Sequence, residues 1–293
     1  MQLEEHGDAP AFLVAAAPVL EADEPRHNLM YGICSTLVDA PDVYREAHLW
    51  TIAADGGVVG AALRTPPFNL LVARPLDDTA LAFFASELHE QGVELPGVSG
   101  AVPEVDVFAD AWTELGGARR RVRMRQGVYA ARAAEVPTGV PGAPRPASPD
   151  DRRLLVDWLH AFQQEALGEH APHIELEQMV DRRLAARTGG LVVWEDDAEP
   201  VSMCGFGGRT PHGIRIGPVY TPRELRRRGY AGALTAHVTK QQLESGRDYC
   251  FLYTDLANPT SNRIYMNIGY ERVCDSTDYA FEKPTGGVRP QGV

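Results

Sequence analysis

The segment Val136-Pro-Thr-Gly-Val-Pro-Gly-Ala-Pro-Arg-Pro-Ala-Ser-Pro149 limits what this chain can fold into more than any other stretch. Five prolines and two glycines fall in its fourteen residues. Proline fixes its own φ and offers no backbone donor, so neither a helix nor a sheet interior can run through here. The segment predicts a semi-extended linker. At 293 residues there is room for one ordinary domain on each side. The expected division is a domain over 1–135, the linker over 136–149, a second domain over 150–283 and a Gly/Pro-rich tail over 284–293.

The halves repeat one order of elements. After the linker, the stripe Leu154, Leu155, Trp158, Leu159 and Phe162 predicts a helix over 151–167, with another over 175–187. Leu191–Glu195 and Val201–Gly205 read as a hairpin and Ile214–Tyr220 as a strand. A helix over 229–244, the buried strand Tyr249–Thr254, a short helix and a final hairpin ending near Phe281 follow. Before the linker come helical patterns ahead of Pro41, a hairpin of His48–Ala54 with Val58–Arg64, and the strand Phe68–Val72. Helices over 78–91 and 105–115 and the strand Arg121–Ala131 complete that half. Helix, hairpin, strand, helix, strand, helix, strand occurs twice, which predicts a duplicated α/β unit built on a mixed sheet.

Charge narrows the partners. Forty acids against twenty-eight bases give −12, which repels phosphate backbones and anionic lipid, so neither nucleic acid nor membrane is an expected partner. A cationic substrate suits that field better. The four cysteines, Cys34, Cys204, Cys250 and Cys274, form no C-x-x-C pair, so they read as small core residues of a reducing compartment. The early apolar run Ala11–Leu20 follows an acidic stretch rather than a basic one, and no run is long enough to span a bilayer. The expectation is a cytoplasmic protein, as a monomer or homodimer.

The chemistry concentrates in Gly217-Pro-Val-Tyr-Thr-Pro-Arg-Glu-Leu-Arg-Arg-Arg-Gly-Tyr-Ala231, where a strand enters a loop and a helix starts at once. Helix N-termini present free N–H groups and a partial positive charge. No acid occurs between Glu224 and Glu244, whereas three arginines crowd the loop. An anion cradle for a pyrophosphate fits this pattern, with Gly229 admitting close approach and small Ala231 leaving room. Pro218 inside the preceding strand predicts a bulge that frees the N–H groups of Val219 and Tyr220. Those could pair an amide chain as a strand would, or stabilise a developing oxyanion. Downstream, Asn258 suits a helix N-cap, Pro259 the first turn and Gly269 the C-cap. Ser261 and Tyr265 share a face of that helix, and a tyrosine there can protonate a leaving group.

The strand Ile216–Tyr220, the loop Arg226-Arg-Arg-Gly-Tyr-Ala231 and the segment Asn258–Tyr265 with Ile268-Gly-Tyr270 resemble the GCN5-related N-acetyltransferase (GNAT) superfamily. The resemblance covers about 145–281 and implies two tandem GNAT-like acyl-CoA N-acyltransferase units. It implies acetyl-CoA as co-substrate, bound between two splayed parallel strands. Pyrophosphate would lie on Arg226, Arg227, Arg228, Gly229, Tyr230 and Ala231, and pantetheine along Val219, Tyr220 and Thr221. Asn258 and Ser261 would line the cofactor and Tyr265 would face the thioester sulfur.

The expected reaction moves acetyl directly to a primary amine of a small molecule or peptide. Glu165 is the first choice of general base, ahead of His170, His173 and Asp255. His170 and His173 do not make a metal pair, because Pro172 interrupts their helix, and no metal is expected. The first half lacks the glycine loop. Ala73-Arg-Pro-Leu-Asp-Asp-Thr-Ala80 puts Asp77 and Asp78 where phosphates would approach, and Trp112 stands where a tyrosine is wanted, so that copy reads as degenerate. The alternative from another class is a non-catalytic acyl-CoA-binding or regulatory module.

Overall fold

A computed structural model of the protein describes residues 1–168 and 173–282. In chain order its elements begin with β1 (Gln2–Glu5), α1 (Ala9–Leu20), α2 (Glu24–Asp39), β2 (His48–Ala54), β3 (Gly57–Arg64) and β4 (Leu70–Val72). Next come α3 (Ala80–Glu90), β5 (Gly97–Ala101), α4 (Glu104–Gly116), β6 (Arg119–Ala131) and β7 (Ala143–Pro146). Then follow α5 (Arg152–Phe162), which runs on as a π-helical turn over Gln163–Leu167, α6 (His173–Leu184), β8 (Gly189–Asp196), β9 (Glu199–Arg209) and β10 (Gly213–Tyr220). The chain closes with α7 (Tyr230–Glu244), β11 (Tyr249–Asp255), α8 (Pro259–Ile268) and β12 (Glu271–Glu282).

These elements form two compact units, the first from residues 1–23, 44–125 and 275–282, the second from 24–43 and 126–274. The first unit's strands pair in the order β1-β2-β3-β4-β5-β12, the second's in the order β7-β8-β9-β10-β11-β6. Each order holds one parallel pair, β4 with β5 and β10 with β11, at the same place. The hairpins repeat as well. Asp55 and Gly56 join β2 to β3 with positive φ at both positions, and Asp197 and Ala198 join β8 to β9 in the same way. Turns of this mirror-image kind match the right-handed strand twist, so both halves use one device to set hairpin register.

The halves trade elements, and this departs from the division 1–135 and 150–283. The strand that ends each half completes the sheet of the other unit: β12 pairs with β5, and β6 pairs with β11 over Gln126–Ala131. Helix α2 belongs to the second unit, where it covers β9 and β10. Its Gly32 lets the backbones meet, since a Cβ there would lie 3.2 Å from the Gly208 Cα. Where a final hairpin ending near Phe281 was expected, Glu271–Glu282 is one long strand, β12.

The proline-rich seam also departs from expectation. Ala143–Pro146 forms β7, an edge strand antiparallel to β8. Pro144 and Pro146 are two apart, so both lack their donor on the outer edge, while Ala147 N–H still reaches the Leu191 carbonyl at 2.9 Å. Proline at this spacing blunts an edge without breaking the ladder.

Arg145 of β7 fixes the next helix start. Its guanidinium donates to both Asp151 oxygens at 2.7 and 2.9 Å and to Glu195 at 2.6 Å, and Asp151 closes a capping box with Ser148. The Arg145 hydrogen bonds pull the buried Asp151 carboxyl down to about 2. A depressed carboxylate stabilises the fold above its unfolded value of about 3.8, and that contribution is lost as pH falls toward 2. With Arg145 a third exposed, Asp151→Asn is expected to cost about 1–2 kcal/mol at pH 7 and almost nothing at pH 2. Urea titration of both proteins at the two pH values checks this.

Each unit has its own core. Trp50, Ile52, Phe84, Phe108 and Trp112 pack α3 and α4 on the first sheet. In the second, Cys204, Ile214, Ile216, Leu234, Cys250 and Leu252 pack α7 on one face, and Leu155, Leu159, Val180, Val193 and Met203 pack α5 and α6 on the other. No described helix is long and apolar enough to cross a membrane.

Candidate active site of the second unit

The site opens where β10 leaves β11. The two strands pair only over Gly213–Arg215 with Tyr249–Phe251, whereas β11 stays paired to β6 as far as Asp255. On its other edge β10 continues with β9, but its register slips between Ile216 and Val219, a bulge at the cis bond between Gly217 and Pro218. Val219 and Tyr220 therefore keep a partner on the β9 side and none on the β11 side. Backbone donors alternate along a strand, so one of these two N–H groups faces the gap.

Helix α7 begins beside that gap. Gly229 is its N-cap with φ 90, Arg227 before it also has positive φ, and no side chain caps the helix. The first turn holds no acid, and the first intrahelical bond runs from Ala233 N–H to the Gly229 carbonyl at 3.0 Å. The N–H groups of Tyr230, Ala231 and Gly232 are left without intrahelical partners. Arg227 and Arg228 are exposed, whereas Arg226 folds back, donating to the Thr221 carbonyl at 2.9 Å and to Glu165 at 2.8 Å. The Tyr230 ring is buried and its hydroxyl donates to Asp196 at 2.5 Å, so it contributes only its backbone to the helix start. Thr221 likewise turns inward to Ser202.

Helix α8 packs on this first turn, where a Cβ on Gly232 would touch the Ile264 methyl at 3.4 Å. Asn258 caps α8 by accepting from Ser261 N–H at 3.1 Å, and its amide nitrogen has no partner among the described residues. Tyr265 is half-buried, edge-on to Tyr270, and its hydroxyl has no hydrogen-bond partner among the described residues. Burial, with a smaller contribution from Cys204, pushes its phenol well above the usual value, so it stays protonated.

Glu165 sits on the π-helical turn that ends α5. It accepts from Tyr220 at 3.2 Å and pairs with Arg226 at 2.8 Å and Arg223 at 3.2 Å. Burial would raise this carboxyl, but Arg226 and Arg223 outweigh it and hold it below its ordinary value. Among the other base candidates, Asp255 accepts from Ala257 N–H in the turn after β11. His170 lies outside the described residues, as does the side chain of His173. The described residues hold no cluster of His, Cys, Asp or Glu suited to a metal ion.

The FR47-like protein family model matches residues 196–279, the stretch from the β8–β9 turn into β12. No curated protein matches the chain. Among solved structures, a GCN5-related N-acetyltransferase from Sphaerobacter thermophilus aligns with a TM-score of 0.61 at 19% identity, over 97% of this chain and 96% of that one. A tandem GNAT protein from the clavulanic acid biosynthesis pathway aligns at 0.60 and 14%, over 97% and 100%. A GNAT-family acetyltransferase from Colwellia psychrerythraea aligns at 0.57 and 12%, over 97% and 100%. This chain has the tandem GNAT fold.

The two GNAT-like units differ at the loop before the helix that follows the parallel strand. In the first, Asp77 takes the turn before α3, accepting from Thr79 N–H at 2.8 Å and its hydroxyl at 2.6 Å. Those bonds lower its pKa, so a full negative charge sits beside the helix start. The parallel pair spans three residues in both units, and past Val72 the chain keeps to β3, with Ala73 N–H donating to the Ala61 carbonyl at 3.0 Å and Leu76 N–H to the Val59 carbonyl at 2.7 Å, so the difference lies in the loop.

One group in the second GNAT unit was not anticipated from the sequence. Arg183 of α6 reaches under the sheet, and its Nη1 donates to the Gly217 carbonyl at 3.0 Å, at the bulge itself. Burial and the neighbouring Arg215 pull its pKa down to about 10. The enabling signal is Gly205, where a Cβ would lie 2.0 Å from that Nη1. It lies twenty-two residues from Arg183 in sequence, beyond the reach of any helix or strand period.

Proposed function

We propose that the second unit transfers an acetyl group from acetyl-CoA directly to a primary amine. The observation that carries this reading is the pairing of an acid-free, uncapped helix start at Gly229 with a gap between parallel strands beside it. The free N–H groups of Tyr230, Ala231 and Gly232 and the arginines Arg227 and Arg228 suit a pyrophosphate. The unpaired edge of Val219 and Tyr220 suits an amide-bearing arm, and Asn258 and Ser261 line the far side. Acetyl-CoA, when bound, supplies an activated acyl group and a thiolate leaving group. Tyr265 holds the proton that the sulfur takes, and Glu165 receives the one that the amine gives up.

Release of free thiol from acetyl-CoA across a panel of primary amines tests the reading. Binding without turnover on any of them would instead favour a regulatory acyl-CoA-binding module. Calorimetry is expected to count one acetyl-CoA per chain, because Asp77 puts a negative charge at the start of α3 where the second unit has an acid-free glycine start. Two equivalent sites would refute that asymmetry.

Glu165 has two duties to separate, accepting a proton and bracing Arg226. A carboxylate held down by two arginines is a weak base, so its contribution should fall below the usual range of general-base effects. Glu165→Gln is expected to lower kcat about tenfold with less than about a threefold change in acetyl-CoA affinity. The reverse pattern would make Glu165 a brace only. Its acid limb in kcat/KM should lie below about 4.5, outside the neutral range.

A further inference from the structure

Arg183 and Arg215, both half-buried in the second unit, have no carboxylate partner among the described residues and lie beneath the strand gap. Strand side chains alternate, and Ile214 and Ile216 point to the α7 core, so Arg215 faces the side where α2 and α5 cover β10. Leu252 likewise faces α7, which puts Tyr253 beside Arg215, with the guanidinium 5.2 Å from the ring centre. Arg183 comes from α6 to the same place and bonds the Gly217 carbonyl. Arg215 Nε is buried with no partner, and so is Oδ1 of the fully buried Asn28 on α2. Tyr253 lies close enough to both Arg215 and Asn28 to be influenced by each.

A half-buried guanidinium without an anion gives up part of its hydration and gains no ion pair in return. Here the sheet has given up a side chain at Gly205 to admit Arg183, and that guanidinium is pinned against the bulge that lies beside the acyl-transfer site. Both arginines keep donors to spare, since Arg183 uses one Nη1 bond and Arg215 none.

We propose that Arg183 and Arg215 form the recognition site for a carboxylate carried by the acceptor amine. This rests on the transferase reading and names its substrate class, amines of amino-acid type. The planar fork of a guanidinium matches a carboxylate in two-point contact, which a phosphate or hydroxyl matches less well. The site selects against polyamines and other polycations, because an acceptor without an anion leaves two like charges facing an ammonium group. Local charge thus reverses what the net charge of −12 suggests for the whole chain.

The test is thiol release from acetyl-CoA with the full-length protein and matched acceptors. The panel pairs the common α- and ω-amino acids with their amides, and adds spermidine and an aminoglycoside. The preferred amino acid is expected to exceed its amide in kcat/KM by at least about tenfold. Arg215→Gln is expected to bring that ratio to within about threefold, with Arg215→Lys in between. Acetyl-CoA affinity and melting temperature, measured on each variant, should stay close to the parent values. Equal use of acid and amide, preference for spermidine or the aminoglycoside, or a ratio unchanged in Arg215→Gln would each overturn the proposal. Acetyl-CoA binding without turnover on any amine would overturn the transferase reading itself, and this proposal with it.

Discussion

Replacing Tyr265 by Phe is expected to lower kcat roughly tenfold to a few hundredfold while acetyl-CoA affinity and folding stay nearly intact. The substitution keeps the ring against Tyr270 and removes only a hydroxyl that has no other partner among the described residues. Burial keeps that hydroxyl protonated, which fills the donor form but makes it a weak acid. A thiol has an ordinary pKa near 8.5, so a CoA thiolate leaves tolerably well unaided. Both facts put the effect toward the low end of the usual 10²–10⁴ for general acids. Steady-state kinetics with calorimetry of acetyl-CoA binding reads the result. Full kcat in the variant, or a loss of stability without a specific rate defect, would make Tyr265 a packing residue.

Gly229→Val should weaken acetyl-CoA binding by about 1–3 kcal/mol, roughly five- to 150-fold, the cost of a buried hydrogen bond left unmade. The geometry adds a second cost. Residue 229 sits at φ 90, and a Cβ would approach the Val140 Cγ2 at 2.9 Å, so the loop must shift whatever the ligand does. Gly229→Val in a Val140→Ala background relieves the contact and leaves the φ cost and the blocked approach. Affinity that stays weak in the double variant locates the defect at the cradle. Unchanged affinity in Gly229→Val alone would sink the cradle assignment.

Much of this architecture is written locally. The hairpin β2–β3, the start of α7 at Gly229 and the caps of α8 at Asn258 and Gly269 all follow from rules that act within a few residues: period, capping and positive φ. The repeat was legible for the same reason, since the order of elements is a sum of local signals. Strand β5 was not, because Gly97-Val-Ser-Gly-Ala101 is small and weakly β-forming. It is a strand because Tyr279 of β12 needs close approach there, where a Cβ on Gly97 would lie 1.9 Å from the Tyr279 carbonyl.

The sequence by itself determined that there are two α/β units, that the second carries an uncapped glycine helix start after a proline-broken strand, and that the first has aspartates at that point. Only the tertiary structure decided which strand closes which sheet, that a proline-rich seam supplies an edge strand, and that Glu165 meets Arg226. It also decided that Arg183 and Arg215 come together beneath the bulge. The physical reason is range. Backbone dihedrals and caps answer to neighbours along the chain, whereas sheet pairing and buried charge answer to groups tens to hundreds of residues away, whose positions exist only once the chain has folded.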